Sequence, residues 1–125
     1  MNVKLSFLNG ELEEEVYIEK LEGFPLSENN EMVCRLNKAI YGLKQAPRTW
    51  YARLDSYLEK LGFAKGTKDS NLYFKEVEND LLIIIIFVDD IIFGCNDEAS
   101  DKFSKEMKNE FEMSVIGEMK FFLGL

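Results

Sequence analysis

An α+β fold, with hairpin-paired strands and two amphipathic helices, is what this sequence predicts. Three observations carry the prediction. Leu81–Gly94 reads LLIIIIFVDDIIFG, an apolar, largely β-branched run broken only at Asp89 and Asp90. That is the pattern of two buried strands joined by a tight turn. Trp50, Leu54, Tyr57, Leu58 and Leu61 fall at helical spacing between Pro47 and Gly62, a proline suited to the first helical turn and a glycine suited to a C-cap. Ala99, Phe103, Met107 and Phe111 form a second helical stripe behind Asn96-Asp97, with lysine and glutamate on the remaining positions.

The remaining elements follow in chain order. Val3–Leu8 reads as a short strand closed by Asn9-Gly10, a turn dipeptide. The acidic cluster Glu11–Glu15 reads as a solvated face ahead of a strand at Val16–Ile18. Gly23–Glu31 is polar and loop-like, and Met32–Leu36 is a candidate strand. Leu72–Val77 and the apolar run from Leu81 are separated by Glu78-Asn79-Asp80, which suits a hairpin. Met113–Ile116 and Lys120–Leu125 read as terminal strands around Gly117. Trp50 and Tyr57 lie on the apolar stripe and are expected in the core.

Composition narrows the function classes. The 125 residues, 46% of them hydrophobic, suffice for one domain or part of one. The eight apolar residues Leu81–Val88 fall well short of the roughly 20 that cross a bilayer. The N-terminus lacks the basic start and apolar stretch of a signal peptide. With no histidine and only Cys34 and Cys95, a zinc site is not expected, and both thiols read as reduced core residues. The net charge of −8 is unevenly spread: residues 35–68 hold eight cations against two acids, a net of +6 inside an acidic chain. Such a stretch suits a phosphate backbone, and a solvated helix face accounts for scattered lysines equally well.

Two adjacent carboxylates at the tip of an apolar hairpin repel each other. A divalent cation offsets that repulsion, and hard oxygen ligands suit magnesium. A solvated Asp-Asp turn explains the pair if the segment is taken alone.

Three segments in order alter that balance: MNVKLSFLNGELEEEVY at the start, YGLKQAPRTWY at 41–51 and FVDD at 87–90. Together with VCRLNKAIYGLKQAPR, Gly62-Phe63 and the closing FEMSVIGEMKFFLGL, they resemble the reverse transcriptase domain of copia-type LTR retrotransposons along essentially the whole chain. The resemblance implies a polymerase palm-like antiparallel sheet backed by helices. It also implies a truncated domain at 1–125 with part of the fingers, no complete fingers or thumb, and a start at an internal methionine of a longer reading frame.

The same resemblance implies a two-Mg2+ nucleotidyl transfer, with RNA/DNA primer-template and dNTP as partners, in the cytoplasm or a virus-like particle. Asp89 and Asp90 match two of three metal-binding aspartates. The third belongs to a family segment reading MDVK, and here that position is Asn2. An Asn brings no charge, so the copy is expected to be inactive. The backbone amides of Leu5 and Ser6 match positions facing the triphosphate. Phe7 matches an aromatic beneath the sugar, with a core aromatic as the other reading. Gln45 matches the nucleotide pocket, Lys44 and Arg48 match phosphate contacts, and Lys38 and Arg53 extend the basic surface. Lys120 matches a lysine assisting pyrophosphate departure, and Phe122–Gly124 the start of the primer grip. The alternative is a domesticated, non-catalytic module that binds nucleic acid or a protein; an expressed relic is the third reading.

Overall fold

The computed structural model describes residues 1–19 and 33–121. Its elements are β1 (Asn2–Val3), a 3-10 turn (Ser6–Asn9), β2 (Glu11–Glu19), β3 (Val33–Lys38), α1 (Ala46–Lys60), β4 (Ala64–Lys65), β5 (Leu72–Val77), β6 (Asp80–Phe87), β7 (Asp90–Gly94), α2 (Asp97–Glu110) and β8 (Met113–Ser114). The class is α+β, with antiparallel sheets and two helices. The chain divides into two compact units, Met1–Ser6 with Leu54–Leu125, and Phe7–Arg53.

The first unit holds a six-stranded sheet in the order β4-β5-β6-β7-β1-β8. Alternation along β6 sets its faces. Leu82, Ile84 and Ile86 are buried, whereas Leu81, Ile83, Ile85 and Phe87 are exposed, as the two-residue period of a strand requires. Across the ladder Tyr73 and Phe93 both pair with Ile84, which puts them on the covered face. There Phe93 meets Phe103 of α2 edge-on, with ring centroids 5.1 Å apart. Phe63 meets the same ring at 5.6 Å. Burying these aromatics and the β6 isoleucines supplies the main stabilisation, about 2 kcal/mol for each large side chain.

Both ends of this core are punctuated by the chemistry the sequence supplies. Asn96 accepts the Ala99 amide at 2.9 Å and caps α2, with Asp97 and Glu98 in its first turn. After α1, Gly62 takes φ +85°. Its N–H bonds Glu59 O at 2.9 Å and the Phe63 N–H bonds Leu58 O at 3.0 Å, a Schellman termination that glycine alone adopts without strain. Glu78 and Asn79, at φ 50° and 70°, form the two-residue β5–β6 turn. The sequence reading placed Asp80 in the turn as well; it instead opens β6 and pairs with Val77.

The first strand differs most from expectation. Extended backbone ends at Val3 rather than Leu8, because Leu5 adopts φ 49° and a 3-10 turn follows. The apolar run there is spent on burying Ser6 and Phe7 in a turn, not on alternating across a sheet. Near the C-terminus the expected strand to Ile116 stops at Ser114, and Lys120 and Phe121 belong to no strand. The loop expected at Gly23–Glu31, Met32 of the expected third strand and Phe122–Gly124 lie outside the described residues.

In the second unit β2 and β3 form a two-stranded antiparallel ribbon, with Val16 opposite Leu36 and Ile18 opposite Cys34. β2 is longer than expected: the acidic cluster is itself extended and solvated. Cys34 is exposed and Cys95 half-buried, both free thiols, so neither is the core residue expected. Asn9-Gly10 is not a hairpin tip. Gly10 lies against α1, where an added Cβ would meet the Thr49 Oγ1 at 2.5 Å and backbone at 2.9 Å.

One polar cluster ties the second half of α1 to the sheet. Asp55 accepts the Tyr73 hydroxyl at 2.6 Å and the Lys65 ammonium at 3.0 Å. Burial pushes the Asp55 pKa up, but these two hydrogen bonds and the lysine charge outweigh it and hold the carboxyl below its ordinary value. The stability it contributes is therefore present above the unfolded carboxyl pKa and is lost as pH falls through the lower, folded value. Asp55→Asn should cost about 1 kcal/mol near neutrality. In urea titrations that deficit should shrink as the pH falls below the ordinary carboxyl range. An undiminished deficit in acid would contradict the ionised pairing.

Candidate active site

Asp89 and Asp90 are carried at the point where β6 turns into β7. Phe87 pairs with Asp90, leaving Val88 and Asp89 as the turn residues. Val88 adopts φ 54°, a conformation in which a β-branched side chain is strained. The alternation that buries Ile91 places Asp90 on the opposite face of the sheet, the one that carries Ile83 and Ile85.

β1 lies directly beside this tip. Asn2 is in register with Asp90 on one side and Ser114 on the other. Met1 and Ile91 exchange backbone hydrogen bonds at 2.8 Å, and the Val3 N–H donates to Asp89 O at 2.9 Å. This pairing brings the side chains into contact. Asn2 Nδ2 donates to Asp90 Oδ1 at 3.0 Å, and Ser6 Oγ donates to Asp89 Oδ1 at 2.8 Å. Ser6 is fully buried, while the two aspartates and Asn2 are half-buried. The bond from Ser6 was not foreseen from the sequence, which pointed only to its backbone amide.

The donor set can be tested against a pair of divalent ions. An ionised carboxylate only accepts hydrogen bonds, so the Asn2 group facing Asp90 is an N–H and not an oxygen ligand. Among the described residues no three His, Cys, Asp or Glu side chains converge as a metal cluster. Two carboxylates and an amide turned as a donor do not fit a two-metal centre.

The remaining predicted residues are distributed along the second unit, apart from Leu5, which is exposed in the turn after β1, and Lys120, which is exposed in the first unit. Phe7 is 8% exposed, its ring centroid 4.4 Å from that of Tyr41, an observation on the side of its core reading. Lys38 ends β3, Lys44 and half-buried Gln45 precede α1, and Arg48 and Arg53 follow within it. Lys38, Lys44 and Arg48 are exposed and Arg53 is half-buried.

The sequence pattern of the reverse transcriptase (RNA-dependent DNA polymerase) family matches residues 1–125, the whole chain. The chain belongs to this reverse transcriptase family. Its relatives are copia-type Pol polyproteins of plant and yeast transposons. This reverse transcriptase segment is 40% identical over 127 residues to the retrovirus-related Pol polyprotein from transposon TNT 1-94 of Nicotiana tabacum. It is 36% identical over 126 residues to that from transposon RE2 of Arabidopsis thaliana. Both alignments take in the whole chain, which spans 10% and 9% of those two relatives. A putative transposon Ty5-1 protein of Saccharomyces cerevisiae is 31% identical over 126 residues, and the chain spans 41% of it. No solved structure gives a significant match. No helix among the described residues is long and apolar enough to cross a membrane.

Strain at the tip gives a direct test of this geometry. Val88→Gly removes a β-branched Cβ from φ 54°, a relief that exceeds the extra chain entropy glycine brings to the unfolded state. The variant should be more stable by about 1 kcal/mol in urea denaturation. A loss of that size instead would mean that Val88 is not held in the left-handed region.

Proposed function

We propose that residues 1–125 are one partial domain, a polymerase palm with part of the fingers, from a copia-type reverse transcriptase, and that it does not polymerise. The observation that carries this reading is the hydrogen bond from Asn2 to Asp90 at 3.0 Å. RNA-directed DNA synthesis adds a dNTP to a primer 3′-hydroxyl, and the family's chemistry draws on divalent metal at anionic oxygens. Here Asp89 and Asp90 supply two such groups, and the third position supplies a neutral N–H donor. Asp89 and Asp90 alone would be left to hold a divalent ion, which would supply the charge stabilisation that the family's chemistry draws on, and two carboxylates fall short of the anionic set such a centre would need. Loss of such a charge costs several kcal/mol, on the order of a thousand-fold in rate.

In this reading the backbone of Leu5 and Ser6 faces the triphosphate, Phe7 lies beneath the sugar and Gln45 lines the nucleotide pocket. Lys38, Lys44, Arg48 and Arg53 follow the phosphates of an RNA–DNA primer-template. Exposure of Lys38, Lys44 and Arg48 also supports a second reading, a non-catalytic module that binds nucleic acid by charge. In that case, affinity for a short RNA–DNA hybrid should be weak and fall steeply with salt. Strong, salt-independent binding in fluorescence anisotropy would rule out backbone tracking.

The catalytic reading is tested by exchange. An intact copia-type polymerase given the MNVK segment should lose primer extension on a gel, and reversion of Asn2 to Asp should restore it. Efficient extension with Asn2 in place would show that the position is not a metal ligand. The 125-residue chain itself should show no extension, with or without Asn2→Asp.

A further inference from the structure

Strand register leaves a knob and a hollow on the open face of the six-stranded sheet. Leu81, Ile83, Ile85 and Phe87 of β6 are exposed there. Phe74 of β5 is in register with Ile83 on one side, and Gly94 of β7 is in register with it on the other. Phe74 is 40% exposed, whereas a Cβ built at Gly94 would meet nothing within 4 Å. We propose that this face is the interface of a two-fold dimer of the chain, in which Phe74 of each copy seats over the partner's Gly94. A two-fold axis along β6 through Ile83 exchanges the two positions, which is the self-complementarity an isologous contact requires. The same rotation puts Leu72, in register with Ile85 on the β5 side, over the partner's Ile92, in register with it on the β7 side.

Sheets stack face to face about 10 Å apart with their strands aligned to within about 30°, so an axis along β6 suits two twisted sheets. Strands β4 to β7, spaced about 4.8 Å apart, and the run from Leu81 to Phe87, at about 3.3 Å per residue, enclose roughly 400 Å² on each copy. The pair buries about 800 Å², the size of a weak, reversible association and not of a permanent dimer. Monomers seldom leave a contiguous apolar face of this extent to water. The acids of the face do not oppose the contact. Glu76 is in register with Leu81 on the β5 side, and Asp90 with Phe87 on the β7 side, at opposite corners. Rotation about β6 keeps each at its own level along the strands, across the axis from its counterpart. The net charge of −8 on each copy adds a longer-range repulsion, which salt screens.

The dimer does not rest on the function proposed above, and neither primer extension nor nucleic-acid binding bears on it. Its test is sedimentation velocity of the full chain from about 5 to about 300 μM, the range of weak association. Reducing conditions are needed because Cys34 is an exposed free thiol. The weight-average mass should climb towards twice that of the chain and stop there. Raising NaCl from about 50 to about 500 mM should tighten the association several-fold. Gly94→Leu fills the hollow at an exposed position whose φ is not positive, and Phe74→Ala removes the exposed knob. Each should weaken the dimer by about ten-fold or more and leave the chain folded by circular dichroism. A face that associated without register would gain from the added leucine, and tighter association of Gly94→Leu would overturn the proposal. So would mass growth beyond the dimer, association that salt weakens, or a monomer at about 300 μM, which would leave the face to a different partner. If one variant does not fold, the other decides: weakened dimerisation supports the contact, and unchanged dimerisation overturns it.

Discussion

Two like charges on adjacent residues at the end of an apolar hairpin must be compensated, and the rest of the first unit is arranged around that requirement. The hairpin exists because β6 and β7 bury alternate isoleucines against α2. Its tip is forced into a turn one residue before the first carboxylate, at the cost of a left-handed Val88. The acids cannot retreat from each other without breaking the ladder that joins Phe87 to Asp90. Compensation therefore has to come from the neighbouring strand.

That neighbour is β1, inserted between β7 and β8 by pairing on both sides. The insertion explains how a two-residue strand forms at all. On one edge the Val3 N–H bonds Asp89 O and Met1, just ahead of the strand, bonds Ile91, and on the other Asn2 and Val3 are in register with Ser114 and Met113. The same placement sets the chemistry of the site. In a family whose polymerases draw on divalent metal, this arm presents an amide and a hydroxyl to the acids.

Much of this was legible in the sequence, and the reasons differ by element. The two helices could be read because their apolar stripes, Asn96 cap and Gly62 terminator are local signals. The hairpin could be read because β-branched residues on both sides of the tip leave few other arrangements. β1 was overextended in the sequence reading, because VKLSFL has apolar content without revealing that Leu5 turns left-handed and Ser6 is buried. Extended structure through Glu11–Glu15 was missed as well: a strand solvated on both faces has no hydrophobic period to betray it. At the tip, Asp89 and Asp90 stood out from the hairpin pattern itself, whereas Asn2 was singled out only through the family pattern. The role of the Ser6 hydroxyl was not legible, since a lone serine in an apolar run carries no sign of the partner that tertiary pairing gives it.

The account's central claim is that this chain holds its paired aspartates with its own donors. The most direct measurement is a high-resolution crystal structure of the chain grown in excess MgCl2. The account predicts Asn2 Nδ2 on Asp90 and Ser6 Oγ on Asp89, with no ion between the carboxylates. An octahedral Mg2+ ligated by both aspartates, with the Asn2 amide turned to offer its oxygen, would contradict it.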